Sequence, residues 1–406
     1  MNKPKIRFNE FENIWTKSKL GELYEVYSGN TPSRSDDRNY QNGEIPWIKT
    51  TDLNNSIICS NEENISVYGA TKLKVLPEKS VLIAMYGGFN QIGRTGLLAY
   101  PATINQALAA LMPVNEINPN FLLNFLNFKK ESWRNVAASS RKDPNITKND
   151  VEKFKISFPS LDEQSAIGSL FRTLDDLLAS YKDNLANYQS LKTTMLTKMF
   201  PKAGQTVPEI RLDGFEGEWE KSKLKDVAHR VQGNDGRMDL PTLTISASGG
   251  WMNQIDRFSA NIAGKEQKNY TLLKKGELSY NHGNSKLAKY GVVFELQEYE
   301  EALVPKVYHS FRVNQLADAK FIEIMFSTKI PDRELGKLVS SGARMDGLLN
   351  ISFDDFMNIA IIIPTVAEQQ AIGSYFSNID NLIASHQEKI SQLEALKKKL
   401  LQDMFI

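Results

Sequence analysis

An internal repeat constrains this chain more than any other feature of its sequence. PKIRFNEFENIWTKSKLGELYEVYSG at 4–29 returns as PEIRLDGFEGEWEKSKLKDVAHRVQG at 208–233. A second block, 145–200, returns at 350–405 with the same Met-Phe ending, while the inserts between the blocks share little identity. A repeated frame around two unlike inserts predicts two copies of one fold, each with its own specialised part.

The second repeated block predicts two long helices. The phrases PSLDEQSAIGSLF and PTVAEQQAIGSYF each contain a capping-box pattern, from Ser160 to Glu163 and from Thr365 to Glu368. In such a pattern the hydroxyl accepts from the amide three residues on, and the glutamate accepts from the amide of the cap. We therefore expect both glutamates to act as N-terminal caps.

Apolar residues follow these caps at alternating spacings of three and four, which is typical of a coiled-coil seam. A helix of about 40 residues is about 60 Å long and cannot bury such a stripe alone, so we expect the two copies to pair antiparallel. The alternative, in which each helix packs only on its own domain, stays open. The predicted frame contacts are Leu174, Leu178, Tyr181, Leu185, Tyr188, Ile379, Ile383, His386, Ile390 and Leu393.

Both inserts predict α+β domains in which short strands are joined by polar loops. Residues 82–98 and 278–293 have the pattern of one strand–loop–strand unit with different loop chemistry. Polar and cationic side chains of this kind bond base edges and phosphates, although a solvated hairpin has the same composition. The candidate DNA contacts are Ser33, Arg34, Lys49, Asn90, Arg94, Arg141, Asn281, Lys286, Lys289 and Arg344; the same loops offer Gln91, His282 and Asn284.

Local charge favours a polyanionic partner. Residues 257–290 contain seven Lys or Arg against two acidic residues, and 129–155 contain eight against four. Phosphate contacts require such patches, but the net charge of the whole chain is only +1. The patches are therefore balanced elsewhere in the chain.

Other function classes are excluded by what the sequence lacks. One cysteine, Cys59, rules out an intrachain disulfide, and the four histidines lack metal-type spacing. No stretch approaches the about 20 apolar residues of a membrane span, and the start has no signal-peptide core. We therefore expect a cytoplasmic protein without membrane association.

Three fragments superficially resemble enzyme motifs. Asn118-Pro-Asn-Phe lacks the second proline of the adenine-positioning tetrapeptide of N6-methyltransferases, and Asp332 with Glu334 and Lys337 has the wrong spacing for a nuclease. Gly264-Lys265 is not followed by the Ser or Thr of a phosphate loop. These departures predict a recognition protein without catalytic activity of its own.

The order of these features resembles the specificity subunit of type I restriction–modification systems. The resemblance covers essentially the whole chain and is carried by GNTPSR at 29–34, IPWIKTTDL at 45–53, the W-x-KSKL openings at Trp15 and Trp219, and the duplicated EQ phrases. It implies an α+β fold with two pseudo-symmetric target recognition domains separated by two long antiparallel coiled-coil helices. The implied boundaries are 1–158 for the first domain, 159–203 for the central frame helix, 204–363 for the second domain and 364–406 for the C-terminal frame helix.

The resemblance also implies a function. Each recognition domain would read one half of a bipartite, asymmetric site in double-stranded DNA, and the helices would set the gap and dock modification subunits, two in number. Restriction subunits would add translocation and cleavage. No cofactor is expected on this chain, because S-adenosylmethionine, ATP and Mg²⁺ belong to the partner subunits. The alternatives are an autonomous nuclease or methyltransferase, or a coiled-coil scaffold that binds proteins.

Overall fold

The chain forms two compact units in a computed structural model. The first unit is Met1–Asp183 with His386–Ile406, and the second is Asn184–Ser385, so the division falls within the two long helices. None of the helices in the described part of the chain has the length and apolar character that a membrane crossing requires. The structure describes residues 3–88, 90–138, 145–258, 264–283, 285–339 and 348–406.

In its described residues, the first unit contains ten short strands and five short helices ahead of a long one. The strands are β1 (Thr16–Lys19), β2 (Val26–Ser28), β3 (Ile45–Ile48), β4 (Ile57–Ile58), β5 (Asn64–Ile65), β6 (Val81–Ala84), β7 (Thr95–Leu98), β8 (Thr103–Ile104), β9 (Leu108–Leu111) and β10 (Lys155–Phe158). The helices are α1 (Leu20–Leu23), α2 (Val67–Ala70), α3 (Pro119–Phe128), α4 (Lys130–Ala138), α5 (Lys148–Lys153) and the long α6 (Leu161–Lys198), which continues into the second unit.

Its main sheet has the strand order β2-β9-β6-β7-β4, flanked by a three-stranded sheet (β5-β3-β8) and the pair β1-β10. β6 is buried along its whole length, as expected for a run of apolar residues at the centre of a sheet. The core beneath the sheet contains Trp15, Phe121 and Phe125, and Phe405 from the end of the chain packs among them.

The second unit repeats this organisation. Its strands are β11 (Glu220–Lys223), β12 (Ala228–Arg230), β13 (Leu243–Ser246), β14 (Gly250–Asn253), β15 (Thr271–Lys274), β16 (Leu278–Asn281), β17 (Val292–Glu295), β18 (Glu301–Val304), β19 (His309–Val313) and β20 (Ala360–Ile363). Its helices are α7 (Leu224–Val227), α8 (Gln254–Phe258), α9 (Ala319–Ser327), α10 (Asp332–Leu338), α11 (Phe353–Met357) and the long α12 (Val366–Met404), which ends in the first unit.

The main sheet of the second unit has the order β12-β19-β16-β17. These strands correspond one by one to β2-β9-β6-β7, so the predicted equivalence of the two strand–loop–strand units is confirmed. The pairs β13-β14, β15-β18 and β11-β20 complete the β structure. Phe200, two residues after the end of α6, stacks on Phe321 and meets Trp219 edge-on, as Phe405 meets Trp15 in the first unit.

The two long helices have 38 and 39 residues, close to the predicted length. Within the first unit they run antiparallel, since Asp175 pairs with Lys397 while Lys182, further along α6, pairs with Glu394. Within the second unit Lys192 pairs with Asp380, and the following turn of α6 lines a cavity with the preceding turn of α12. The α+β class and the antiparallel helix pair are confirmed.

Candidate nucleic-acid interface

The repeated Glu-Gln dipeptide fastens the first unit at the start of α6. Arg7 donates to both carboxylate oxygens of Glu163, at 2.7 Å each, and Glu163 is only 1% exposed. The buried Gln164 accepts from the amide of Asn118 at 2.9 Å and donates to two backbone carbonyls. We call Arg7, Glu163, Gln164 and Asn118 the first frame junction, because they tie the N-terminal segment, the start of α3 and the start of α6 together.

The second frame junction, Arg211, Glu368, Gln369 and Asp318, has the same geometry. Arg211 donates to both oxygens of Glu368 at 2.8 and 2.7 Å, and Gln369 accepts from the amide of Asp318 at 2.9 Å. Bidentate arginine–carboxylate pairs are among the strongest polar contacts in proteins. The hydrogen bond to the carboxylate raises the pKa of each arginine, so both guanidinium groups stay charged.

The predicted capping role of the two glutamates is wrong. The amide of Glu368 does donate to the Thr365 hydroxyl, at 3.4 Å, as a cap requires. The carboxylates, however, bind the arginines of the repeated Ile-Arg dipeptides. A bidentate partner offers a buried carboxylate two charged donors, whereas the cap amide offers one neutral donor.

The predicted frame contacts lie along one side of α6 and α12. Leu174, Leu178 and Ile379 are buried, and Tyr181 and His386 bring their rings to 5.4 Å. The residues between the predicted positions are mostly exposed. The other predicted positions are half-buried: Leu185, Tyr188, Ile383, Ile390 and Leu393.

In the first unit the sheet register brings four loops to one edge. Ser28 lies opposite Ala109, and Ala84 lies opposite Leu108, so the end of β2, the end of β6 and the start of β9 coincide. The amide of Asn105 donates to the Ile48 carbonyl, which adds the end of β3. We call residues 29–34, 49–56, 85–94 and 105–107 the first loop edge. The candidate contacts Ser33, Arg34, Lys49, Asn90 and Arg94 all lie on it.

Arg34 is fixed in place at the first loop edge. Its guanidinium donates to both oxygens of Glu63 and lies over the rings of Tyr40 and Trp47, 4.2 and 5.3 Å from their centroids. The bond to Glu63 raises the pKa of Arg34, and Arg34 in turn lowers the pKa of Glu63. The arginine is thereby preorganised, but a glutamate already offsets its charge.

Lys49 shares that glutamate. Its ammonium lies 3.3 Å from Glu63 and 3.4 Å from Glu62. Burial opposes the charge on Lys49, but hydrogen bonds to the two carboxylates prevail and raise the pKa of the ammonium. Near them, the exposed Ser33 hydroxyl lies 2.8 Å from that of Ser35. The cations of this part of the edge are therefore compensated by acidic side chains.

Arg94 links two loops of the first loop edge. It donates to the Gln91 side chain at 2.7 Å and to the Leu53 carbonyl, which ties the β6–β7 loop to residues 49–56. The exposed Asn90 lies at the tip of the same loop. Arg94 therefore positions a loop whose neighbouring polar side chain faces solvent.

The second unit has a corresponding loop edge. Asn281 lies opposite Val292 and Tyr280 lies opposite His309, so the end of β16 and the starts of β17 and β19 coincide. We call residues 231–237, 282–291 and 305–308 the second loop edge. The β16–β17 loop has the same length as the β6–β7 loop.

Different chemistry holds the second loop edge. The Asn281 side chain donates to the Ile245 carbonyl at 3.2 Å and accepts from the Gly283 amide at 3.1 Å. The buried His282 brings its ring nitrogens to 2.7 and 2.9 Å from the carbonyl oxygens of Leu349 and Val307. Lys286 and Lys289 are exposed on the same loop.

Some of the candidate contacts lie outside the described residues: Arg141, Asn284 and Arg344. Asn118, of the methyltransferase-like fragment, caps α3 through bonds to two amides. Across the described ranges, no group of three or more His, Cys, Asp or Glu side chains is placed to hold a metal ion. Sequence reasoning missed Arg7 and Arg211, although the recurrence of Ile-Arg in both copies was the available signal.

Comparison with known proteins shows which protein family has this architecture. A family model described as the type I restriction modification DNA specificity domain matches residues 12–187 and again 216–395. Among solved structures, the S subunit of a type I restriction–modification system from M. genitalium superimposes with a TM-score of 0.62 at 14% identity. That superposition covers 100% of this chain and 99% of the other, and shows a shared fold.

Two characterised relatives match to different extents. The specificity subunit of the type I restriction enzyme MjaVIII from Methanocaldococcus jannaschii is 21% identical over 406 residues, covering 95% of this chain and 91% of that subunit. The specificity subunit of EcoR124I/EcoR124II from Escherichia coli is 27% identical over 188 residues. The second match spans about half of each chain, 44% of this one and 45% of the other.

Proposed function

Because the chain belongs to the family of type I restriction modification DNA specificity domains, whose model matches it twice, we propose that it is the DNA-sequence recognition subunit of a type I restriction–modification complex. It is non-catalytic and acts on DNA together with modification subunits. Each unit reads one half of a bipartite, asymmetric site.

One observation carries this function: the same four-strand sheet occurs twice with unlike loops at the same edge. The first loop edge presents Asn90 and the stacked Arg34, whereas the second presents Lys286 and Lys289. Base edges are distinguished by the donors and acceptors that a protein places against them. Two copies of one scaffold with different polar tips are therefore suited to read two different half-sites.

The duplicated frame suggests how the complex is built. Two frame junctions of the same geometry hold two equivalent copies of the frame, so we propose that two modification subunits dock, one for each copy. Restriction subunits join the complex through them. S-adenosylmethionine, ATP and Mg²⁺ act on those partners, no cofactor is bound by this chain, and the complex works in the cytoplasm.

The long helices set the unspecified gap between the half-sites. Removing one heptad shortens a helix by about 10 Å, or about three base pairs of duplex. Deleting residues 183–189 together with 383–389 preserves the pairs Lys182–Glu394 and Lys192–Asp380. We expect a shorter preferred gap or loss of binding, with the half-site sequences unchanged. Altered half-sites with an unchanged gap would contradict this role.

Methylome sequencing tests the function directly. The modification subunit is expressed in a methylation-free host with and without this chain, and the host DNA is sequenced for methyladenine. We expect a bipartite motif only when the chain is present. A motif that persists without the chain, or no motif with an active modification subunit, would contradict the proposal.

Two further outcomes distinguish the alternatives. Methylation or cleavage by the purified chain alone, with S-adenosylmethionine or Mg²⁺, would identify an autonomous enzyme. A protein-binding scaffold would give no sequence-dependent footprint on DNA, even with modification subunits present. The recognition role requires a footprint with those subunits and no activity from the chain alone.

A further inference from the structure

A basic pocket beside the second loop edge has no counterpart among the predicted contacts. Its lining includes Arg230, Lys268 and Lys306, together with Asn269 and Thr271. None of the described residues that line it is acidic. We propose that this pocket binds a backbone phosphate of the duplex, an inference that rests on the DNA-recognition function proposed above.

The strand register brings the two lysines together. Thr271, the first residue of β15, lies opposite Val304, the last residue of β18. Lys268 precedes β15 and Lys306 follows β18, so antiparallel pairing places both lysines at the same end of this strand pair. Both side chains are exposed, and neither forms an ion pair with any described residue.

The third cation comes from the main sheet. Arg230 is the last residue of β12, and the next amide, that of Val231, donates to the Ser310 carbonyl. The amide of Leu272 donates to the Gly233 carbonyl at 2.8 Å, which holds the loop after β12 against β15. These bonds bring three separate segments to one pocket. The pocket is therefore built by main-chain pairing, which does not depend on the cations themselves.

The guanidinium of Arg230 is preorganised. Its central carbon lies 4.3 Å from the ring centroid of Phe353, so the planar group is stacked and its edge can still donate. A stacked guanidinium donates to phosphate oxygens in a forked geometry, and lysines add mobile point charges. Asn269, whose side-chain amide also donates to Glu266 at 2.7 Å, and Thr271 line the pocket as neutral polar groups. This set of groups suits an anion with several oxygens.

Among the described residues, the first loop edge lacks this concentration of uncompensated charge at the corresponding place. In its corresponding turn, where the amide of Leu108 donates to the Asn105 carbonyl, Gln106 stands in the place of Lys306. Its nearby cations, Arg34 and Lys49, are both compensated by Glu63. We therefore expect the second loop edge to contribute more to the salt dependence of DNA binding than the first loop edge does.

The test measures salt dependence with the chain assembled with its modification subunits. Binding to a labelled duplex that contains the motif found by methylome sequencing is followed by fluorescence anisotropy between about 50 and about 200 mM salt. Each phosphate contact contributes about 0.9 to the slope of log affinity against log salt. We expect the double variant Lys268→Gln/Lys306→Gln to lower that slope by about 0.9, the contribution of the one phosphate that the pocket binds, and to leave the methylated motif unchanged.

Two matched variants control for charge and folding. Lys274→Gln/Lys275→Gln removes the same charge at the other end of β15, where Glu301 and Glu300 pair with the lysines; its slope should equal that of the wild type. Lys268→Arg/Lys306→Arg keeps the charge and should restore the wild-type slope. These lysines are exposed, and thermal unfolding checks that each variant is folded.

The outcomes separate this inference from the proposed function. An unchanged slope in Lys268→Gln/Lys306→Gln, with specific binding retained, would overturn the phosphate pocket alone. An equal loss of slope in the control pair would also overturn it, because general electrostatics would then suffice. Equal affinity of the wild-type complex for the motif and for a shuffled duplex would overturn the recognition function and the pocket with it.

Discussion

The two frame junctions are nearly identical, whereas the two loop edges are unlike, although each edge is built on the same sheet. Arg7 and Arg211 hold their glutamates with the same bidentate geometry. The first loop edge is fixed by Arg34 stacked on aromatic rings, and the second by His282 against two carbonyls. The repeat therefore preserves the contacts that hold each unit to its long helix. Recognition is left to loops that can change without disturbing those contacts.

The first test of this comparison removes the buried ion pair of one junction at a time. Glu163→Gln leaves Arg7 without its buried partner, and loss of one member of a buried ion pair costs about 3–5 kcal/mol. Glu368→Gln should cost about the same in the second unit. Chemical denaturation, followed by hydrogen exchange of peptides from each unit, measures both effects.

The matched control is Glu394→Gln. This glutamate pairs with Lys182, but its side chain is 53% exposed, and exposed pairs contribute about 0–1 kcal/mol. Equal, small effects of all three substitutions would mean that the junctions do not hold the units together. A large effect at only one junction would mean that the repeat is not symmetric in energy.

Acid should affect the two units differently. Burial lowers the pKa of His309 to about 4. The hydrogen bond between His309 and the Ile351 carbonyl raises this pKa, whereas the nearby His282 and Arg230 lower it further. The imidazole of His309 binds a proton near pH 6.5 in the unfolded chain, but only near pH 4 in the folded chain. The contribution of the neutral ring to the stability of the second unit is therefore fully present above about pH 6.5 and is lost as the pH falls towards 4. We expect a loss of about 2 kcal/mol between pH 6.5 and about pH 5.

The first 200 residues contain no histidine, so the first unit provides an internal control. Its His386 comes from α12 and is half-buried. Hydrogen exchange of each unit at about pH 7 and about pH 5, corrected for intrinsic rates, measures the difference. His309→Gln should remove the acid sensitivity of the second unit. The expectation is contradicted if both units lose the same stability in the wild type.

Much of this fold could be predicted because its signals are local and repeated. The short β-rich runs at 81–85 and 277–281 contain β6 and β16, and the heptad spacing predicted two helices of about the observed length. The role of Glu163 was predicted wrongly because the same glutamate can form either a capping box or a long-range ion pair. Which of the two forms depends on Arg7, 156 residues away. A local sequence pattern does not show which distant residue approaches the glutamate.

The loop edges could be predicted only in part. The equivalence of the β6–β7 and β16–β17 loops follows from their pattern, but the partners of their side chains do not. Arg34 is neutralised by Glu63, 29 residues away, and the basic pocket combines residues from three segments. Both depend on which distant strands pair, and a local sequence pattern does not contain that pairing.

The helix glycines offer a smaller test of the symmetry. A Cβ at Gly168 would lie 3.0 Å from both Asn118 Oδ1 and Asn120 Cβ, whereas one at Gly373 would lie 3.3 Å from Asp318 Oδ1 and 3.4 Å from Lys320 Cβ. Overpacking outweighs the helix propensity gained at Gly168, so Gly168→Ala should destabilise by about 1 kcal/mol. Gly373→Ala should be neutral or stabilise by up to about 1 kcal/mol. Thermal unfolding of both variants shows whether the sign differs; equal shifts would contradict it.

The ion pairs along the long helices should have the smallest effects, graded by exposure. The side chains of Lys397 and Asp175 are 19% and 22% exposed, while those of Lys182 and Glu394 are 55% and 53% exposed. Double-mutant cycles should give a coupling of about 1 kcal/mol for the first pair and a few tenths for the second. Equal couplings would mean that exposure does not control them.

Exchanging the members of the more buried pair sharpens this test. Lys397→Glu or Asp175→Lys alone places like charges together and should destabilise, whereas the double exchange should recover most of that loss, because the separation of the two side chains is kept. Recovery would show that the pair selects the antiparallel register through charge. If the double exchange remained as unstable as the single variants, packing along Leu174 and Leu178 would select the register alone. The helices would then specify the gap by shape, as the frame junctions specify attachment by charge.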